Sequence, residues 1–387
     1  MKSNNFKHTE LGIIPDDWGI KEFQDVMTGF FSGATPYRGR PDYYKGEIKW
    51  ITSGELNYNI ITDTNEKINE EAVRNTNLKI LPVGTFLFAI TGLEAEGTRG
   101  SCAITGVEAT TNQSCMALFP KETLDSNYLY HFYVWQGKKL AIKYCQGTKQ
   151  QSYTAKTART LPIILPPTKT EQTAIATALS NVDSLIENLE KPIEKKRNIK
   201  QGVMQELLTP QQGWETKKLG ELLDYEQPTK YLVKDTEYNN NNLIPVLTAG
   251  KTFILGYTNE DFGVFENLPV IIFDDFTTAS KYVTFPFKAK SSAMKMLKAK
   301  NKEVILRFVF EMMQTINFQM SDHKRYWISE YRNIEIKVPR TIEQIRIAKI
   351  LGDMDTDIEV LERKLTKYRM IKQGMMQTLL TGKIRLI

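Results

Sequence analysis

The sequence predicts an α+β chain in which two dissimilar globular regions alternate with two long helices that pack on each other. Three observations carry this. Residues 166–209 and 338–381 align without a gap at an offset of 172, and about 20 of 43 positions are identical from Pro167 onward, which marks a duplicated unit. Apolar residues inside both copies recur at steps of four and three, the spacing of a helix with one buried seam. Ahead of each copy lies a longer stretch of short strand-like runs separated by Gly, Pro and Asn turns.

Residues 1–165 form the first globular region. It opens "LGIIPDDWGIKEF", led by Trp18, and contains the strand-like run "GTFLFAIT" at 84–91. Residues 166–210 are the first helical segment, with Ile175, Leu179, Val182, Ile186, Leu189 and Ile193 along its seam. A continuous helix from Glu171 to Leu208 is roughly 57 Å long at about 1.5 Å per residue. Pro192 lacks a backbone donor and crowds the carbonyl of Asn188, so a kink is expected there. Residues 211–338 form the second region, whose opening "LTPQQGWETKKLGELL" again carries a tryptophan, Trp214. It holds the run "LPVIIFDDF" at 268–276, while "YNNNNLIP" at 238–245 is a loop by composition. Residues 339–387 are the second helical segment, with Ile347, Leu351, Met354, Ile358, Leu361, Leu365 and Tyr368 on its seam and Lys364 at the place of Pro192. Each seam needs a cover, and the other copy supplies one within the same chain.

At 387 residues the chain has room for two or three cores, and 41% hydrophobic with 25% charged residues is ordinary for a soluble protein. Three cysteines without metal spacing suit a reducing cytoplasm, and neither a signal peptide nor an apolar run near twenty residues is present. His8, His131 and His323 lie far apart, as isolated residues do. The formal charge of +6 is modest, but its placement is uneven. No acid occurs between Asp125 and Glu171, nor between Asp275 and Glu303, while seven basic residues fall in each stretch. One such basic run per region points to a polyanion, against the alternative of two solvated faces.

Two local patterns invite a catalytic reading. "RPDYYKGEIKW" contains Asp42, Glu47 and Lys49, the letters of a metal-dependent nuclease motif, and Asp322 with Glu335 and Lys337 forms a rival copy. Five steps through Gly46 would force both acids onto one tight turn, and the plain alternative makes Ile48 and Ile336 core residues of strands with solvent-facing neighbours. Gly250-Lys251-Thr252 resembles the tail of a phosphate loop, but Pro245 stands where its first glycine is required, and "FILGY" continues as a strand. Pro166-Pro167 is followed by Thr168, not the aromatic residue of an adenine methyltransferase loop.

The order variable region, shared helix, variable region, shared helix, with "KQGVMQELLT" recurring as "KQGMMQTLLTG" and "EQTAIATALSNVD" as "EQIRIAKILGDMD", resembles the specificity (S) subunits of type I restriction–modification enzymes. The resemblance spans essentially the whole chain. It implies two target-recognition domains, each a mixed β-sheet with helices, and an antiparallel coiled coil that relates them as a pseudo-twofold repeat. It implies that each domain reads half of a bipartite, asymmetric site in double-stranded DNA. The helices would set the spacing and dock two methyltransferase (M) subunits, and a restriction (R) subunit can join. No cofactor is expected on this chain: S-adenosylmethionine belongs to the M subunits and ATP to the R subunit, and magnesium is expected in the partner subunits. A stand-alone nuclease, or a coiled-coil adaptor without a DNA role, are the alternatives.

Candidate DNA contacts follow from residue type and from the resemblance. The family's Gly-Ser/Thr-x-Gln pattern corresponds to Gly147-Thr148-Lys149-Gln150, which nominates Lys149, Gln150 and Gln151, and the family-like "TTNQS" adds Asn112 and Gln113. Thr35, Arg38, Arg40 and Arg99 lie in Gly-rich turns. In the second region Lys288, Lys290, Ser291, Ser292 and Lys295 cluster, as do His323, Lys324, Arg325 and Tyr326. Each has a turn or capping role as its bland alternative; for Asp274-Asp275 the cap is favoured over a cytosine contact. Polar residues retained in both helical copies, Glu171, Gln172, Lys200 and Gln201 with Glu343, Gln344, Lys372 and Gln373, suggest a repeated docking surface, against helix capping and solvated charge. Residues 1–165 and 211–338 each carry only +1, so tight DNA binding is expected to need the M subunits.

Overall fold

The computed structural model describes residues 5–239, 241–248, 252–320 and 325–386. They fall into two compact units, Met1–Asn188 with Leu365–Ile387, and Leu189–Lys364.

In the first unit the strand Gly19–Glu22 pairs antiparallel with Pro162–Leu165, so the globular region is zipped shut where the chain enters its helical segment. A one-turn helix, Phe23–Val26, then leads into the strand Met27–Ser32. That strand edges a five-stranded sheet, continued by Cys115–Pro120, Phe86–Ala89, Cys102–Thr105 and Asn59–Ile61. Phe86–Ala89 and Cys102–Thr105 are buried at every position, which is why "FLFA" is an unbroken apolar run without alternation. Helix α1 (Ser126–Tyr144) packs on Cys102–Thr105, and the Asp125 carboxylate caps it by accepting from the backbone of Asn127 and Tyr128. A smaller sheet orders Ala109–Thr111, Ile48–Ile51 and Lys67–Ile68 around Tyr43, Trp50, Ile68, Ala72 and Leu78.

The second unit takes the same path. Glu215–Lys218 pairs antiparallel with Glu335–Val338, a one-turn helix Leu219–Leu222 follows, and Leu223–Glu226 edges a four-stranded sheet. The sheet continues through Met294–Ala299, Val270–Asp274 and Ser280–Val283. A three-stranded sheet orders Ile254–Thr258, Ile244–Leu247 and Lys288–Ala289, and helix α3 (Leu306–Gln314) follows the main sheet as α1 does in the first unit. The duplication, legible in sequence only in the helical segments, therefore extends to both globular regions. They share this path and differ in side chains, in loops and in a fifth strand, Asn59–Ile61, that extends only the first main sheet.

The helical segments form α2 (Lys169–Leu207) and α4 (Thr341–Leu379). Pro192 lies exposed inside α2, whose helical turns continue on both sides of it. In the first unit α2 meets α4 through Asp183 and Lys372 at 2.5 Å, and nearer the start of α2 Glu171 meets Arg385. In the second unit Lys200 meets Asp355 at 2.6 Å, and Arg197 meets Glu362 at 2.5 Å. Numbers rise along one helix as they fall along the other, so the pairing is antiparallel in each unit. The offset of 172 carries Asp183 onto Asp355 and Lys200 onto Lys372: the duplicated sequence makes one ion pair twice, once in each unit.

Seam residues are buried as their spacing demands, Ile175, Leu179, Ile193, Ile347, Leu351, Ile358 and Leu365 among them. Ile175 and Leu179 join the first core together with Leu379 and Leu380, and Leu208 joins the second core with Ile347 and Leu351. Each unit thus owns part of both long helices, and its boundary cuts across the segments 166–210 and 339–387. No helix among the described residues is long and apolar enough to cross a membrane.

Candidate nucleic-acid interface

One cleft in the first unit gathers several of the nominated residues. It measures about 400 Å³ and is lined by Ser53, Thr91, Gln113, Ser114, Gln150 and Gln151, among others. Gly147 starts the loop that delivers Gln150: its φ is +97°, and a Cβ there would sit 2.1 Å from the carbonyl oxygen of Gln150. Only glycine closes this turn. Lys149 and Gln150 are left exposed at its tip. The loop is held from beneath, since the backbone N–H of Gln151 donates to the Glu94 carboxylate (2.8 Å) and the N–H of Leu93 donates to the Gln151 carbonyl (3.0 Å). Across the cleft the Asn112 side chain accepts from the N–H of Ser114 (3.0 Å), a turn that turns Gln113 outward, and Thr35 Oγ1 donates to Gln113 Oε1 (2.6 Å). An exposed amide at such a rim, as on Gln150, can meet the donor and acceptor edge of adenine.

The arginines nominated in this unit are otherwise engaged. Arg38 makes a two-pronged pair with Glu66 (2.6 and 2.8 Å), and Arg40 makes one with Asp42 (2.9 and 2.7 Å). These bonds hold Glu66 and Asp42 below the usual carboxylate range. Arg99 donates to the carbonyls of Leu93 (2.8 Å) and Glu94 (2.9 Å), which makes it a brace for the loop facing Gln151. Sequence reasoning missed Ser53, Thr91 and Ser114. Short hydroxyl residues are common in turns, and only the convergence of distant loops singles these out.

In the second unit the basic cluster is largely internal, which corrects the reading of Lys288, Lys295 and Tyr326 as contacts. Lys288 is buried, donates to the carbonyl of Phe262 (2.7 Å) and pairs with Glu260 (2.7 Å). Lys295 is buried against buried Asp275 at 2.9 Å. Tyr326 is buried against Phe318, with its N–H donating to the carbonyl of Asp275 (2.9 Å). Ser291 accepts from the N–H of Ala293 as a turn residue. Lys290, Ser292 and Arg325 remain exposed, and His323 and Lys324 lie outside the described residues. Asp274 caps a turn by accepting from Phe276 and Thr277, as favoured, whereas its neighbour Asp275 is the buried ion-pair partner.

The nuclease letters do not converge. Asp42 is taken by Arg40, Lys49 pairs with Asp63 at 2.6 Å, and Glu47 is exposed. Ile336 is buried between outward Glu335 and Lys337, and Asp322 lies outside the described residues, as do Gly250 and Lys251. Among the described residues no group of three His, Cys, Asp or Glu could hold a metal ion.

Most residues retained in both helical copies turn out to serve the chain itself. Gln172 accepts from the N–H of Asp125 (2.9 Å) and donates to the carbonyl of Thr123 (3.2 Å). Gln344 accepts from the N–H of Ile305 and donates to the carbonyl of Pro339, both at 2.9 Å. The duplicated glutamine is a latch on the start of α1 and of α3. Glu171 is buried against Arg385, and Lys200 and Lys372 form the duplicated ion pairs. An internal role thus replaces docking for these five. Gln201 and Gln373 are exposed and Glu343 is half-buried.

Behind Asp183 lies His131 of α1, buried, with Nε2 2.9 Å from Ser180 Oγ. Burial, assisted by the Lys372 charge, pushes its pKa down to about 3. The unfolded chain takes up a proton near pH 6.5 that the folded unit refuses, so stability from this group is complete above that pH and falls as pH drops toward 3. At pH 5 the expected loss is about 2 kcal/mol. Denaturant titrations at pH 7 and pH 5 check this, since His131→Gln should flatten the difference.

The sequence pattern of the family described as "Type I restriction modification DNA specificity domain" matches residues 15–197 and 211–367. The chain is 56% identical over 126 residues to the type I restriction enzyme EcoR124I/EcoR124II specificity subunit of Escherichia coli, 31% of each protein. It is 30% identical over 258 residues to the type I restriction enzyme MjaIX specificity subunit of Methanocaldococcus jannaschii, 61% of this chain and 58% of that one. These two matches span less than two thirds of the relatives. A third, to the MjaVIII specificity subunit of the same archaeon, is 24% identical over 430 residues and spans 99% of this chain and 97% of the relative. The fold resembles the crystal structure of a type I restriction–modification S subunit from M. genitalium, with a TM-score of 0.71 at 16% identity over 98% of this chain and 97% of that one.

Proposed function

The chain belongs to the type I restriction modification DNA specificity family, and from that premise we propose that it is the sequence-reading subunit of a restriction–modification complex, without catalysis of its own. Each unit reads one half of a bipartite, asymmetric site in double-stranded DNA. The paired helices fix the separation of the halves and dock two M subunits, and an R subunit can join. S-adenosylmethionine resides on M and ATP on R, and magnesium belongs to these partner subunits. The complex works in the cytoplasm, a setting that suits three free cysteines. The observation that carries this reading is one chain path used twice with different outward side chains, Gln113, Lys149 and Gln150 in one unit and Lys290, Ser292 and Arg325 in the other. A repeated scaffold with changed rims suits two different half-sites.

The test is methyl transfer by the chain assembled with its M subunit on a random-sequence DNA library. Methylation confined to one two-part sequence is expected; transfer without such a preference would sink the proposal. In the same complex Lys149→Ala should weaken binding alike across sequences and lower the slope of log affinity against log salt by about 1, as loss of a phosphate contact does. An unchanged slope would remove Lys149 from the interface.

A further inference from the structure

We propose that Tyr37 is a non-ionic DNA contact of the first unit, an aromatic platform that packs against the sugar and base edge of the half-site beside Gln113. The inference rests on reading this unit as a DNA reader, and it names a contact that neither charge nor motif suggests. Tyr37 is 74% exposed, the most exposed large aromatic side chain among the described residues. Its ring lies across Gly39, where a Cβ would come within 2.5 to 2.7 Å of the ring atoms Cε1, Cζ and Oη. Glycine at 39 leaves the room in which the ring lies against the backbone, with the opposite face open to solvent.

The loop beneath it is fixed at every alternate position. Tyr44 donates its hydroxyl to the carbonyl of Pro36 at 2.5 Å. Arg38 lies over the rings of Tyr44 (4.3 Å) and Trp50 (5.2 Å), and Arg40 over Tyr43 (4.6 Å). The N–H of Arg40 donates to the carbonyl of Tyr37 at 3.1 Å, closing the turn. Such a loop has little freedom left to lose on binding, which favours an aromatic contact. Two residues earlier, the Thr35–Gln113 hydrogen bond ties the loop to the rim of the amide-lined cleft.

Charge decides what kind of contact this is. Glu66, Asp42 and Glu71 neutralise the arginines that flank Tyr37, so the loop offers a phosphate little attraction. What it presents is a flat apolar face, and an uncharged ring against a sugar and base edge neutralises no phosphate and so releases no counterion.

The experiment measures affinity and salt slope of the chain assembled with its M subunit, on the cognate duplex and on a scrambled one. Tyr37→Ala should lower affinity about tenfold with the salt slope unchanged. Tyr37→Phe should stay within about twofold of the parent, because the hydroxyl is not used. Gly39→Ala, which displaces the ring without removing it, should reproduce part of the loss. If the parent complex prefers its cognate duplex and Tyr37→Ala binds as the parent does, or loses slope together with affinity, the platform is refuted while DNA reading stands. If the parent complex binds both duplexes alike, DNA reading fails and the platform with it.

Discussion

Replacing Arg307 with alanine is expected to destabilise the second unit by about 3–5 kcal/mol, because it strands a buried carboxylate. Glu311 on α3 is 0% exposed, and its nearest counter-charge is Arg307 at 2.5 Å, with Lys200 of α2 at 3.5 Å. Arg307 also bonds Asp355 of α4, so four charges form a neutral group where α2, α3 and α4 meet. The first unit solves the same place differently. Counting from the latched residues Asp125 and Ile305, Arg307 corresponds to Asn127 and Glu311 to His131. Burial keeps His131 uncharged, so there only Asp183 and Lys372 remain as a pair. Both sites are electrically balanced, one with four charges and one with two. Urea unfolding of Arg307→Ala, and of Arg307→Ala with Glu311→Gln, checks the origin of the cost. Most of the loss should return in the double variant, and an Arg307→Ala protein within about 1 kcal/mol of the parent would contradict it.

Lys295→Met is expected to cost a similar 3–5 kcal/mol, again by leaving a buried acid unpaired. Lys295 and Asp275 are both 0% exposed, and the Asp275 carboxylate also accepts from the N–H of Trp327 (2.8 Å). The pair therefore pins the segment that follows Arg325 to the ends of the two central strands of the main sheet. The outcome separates two roles for a lysine in an acid-free run. A phosphate contact, once lost, lowers the salt slope of DNA binding and leaves the unfolding midpoint alone, whereas Lys295→Met should lower the midpoint and leave the slope of the remaining folded complex unchanged. A stable Lys295→Met protein with a reduced slope would restore Lys295 to the interface.

That acid-free run shows where legibility ended. The carboxylates that neutralise its lysines come from distant positions: Glu226 for Lys298, Asp224 for Lys300, Glu260 for Lys288 and Asp275 for Lys295. Local composition does not reveal partners brought by neighbouring strands. The same holds in the first unit, where Lys138 meets Glu96 and Lys143 meets Glu10. Helix α1 was hidden within that run because it buries residues on several sides, Leu129, Phe132, Tyr133 and Leu140 among them, and so lacks a single apolar stripe. The long helices were legible because each needs one seam, and steps of four and three record it. The turn at Gly147 was legible because it is local; the cleft it borders was not, since its walls come from four separate stretches of chain.

The division of α2 and α4 between the two units has a consequence for biosynthesis. Residues 365–386 bring Leu379 and Leu380 to Ile175 and Leu179, and Arg385 to the buried carboxylate of Glu171. On the ribosome, the earlier-made recognition region must wait, its apolar helix face uncovered, until the later one has been translated. A chain stopped anywhere before residue 365 leaves that face and that carboxylate bare, so a prematurely terminated product is a substrate for chaperones and proteases before it is a reader of anything.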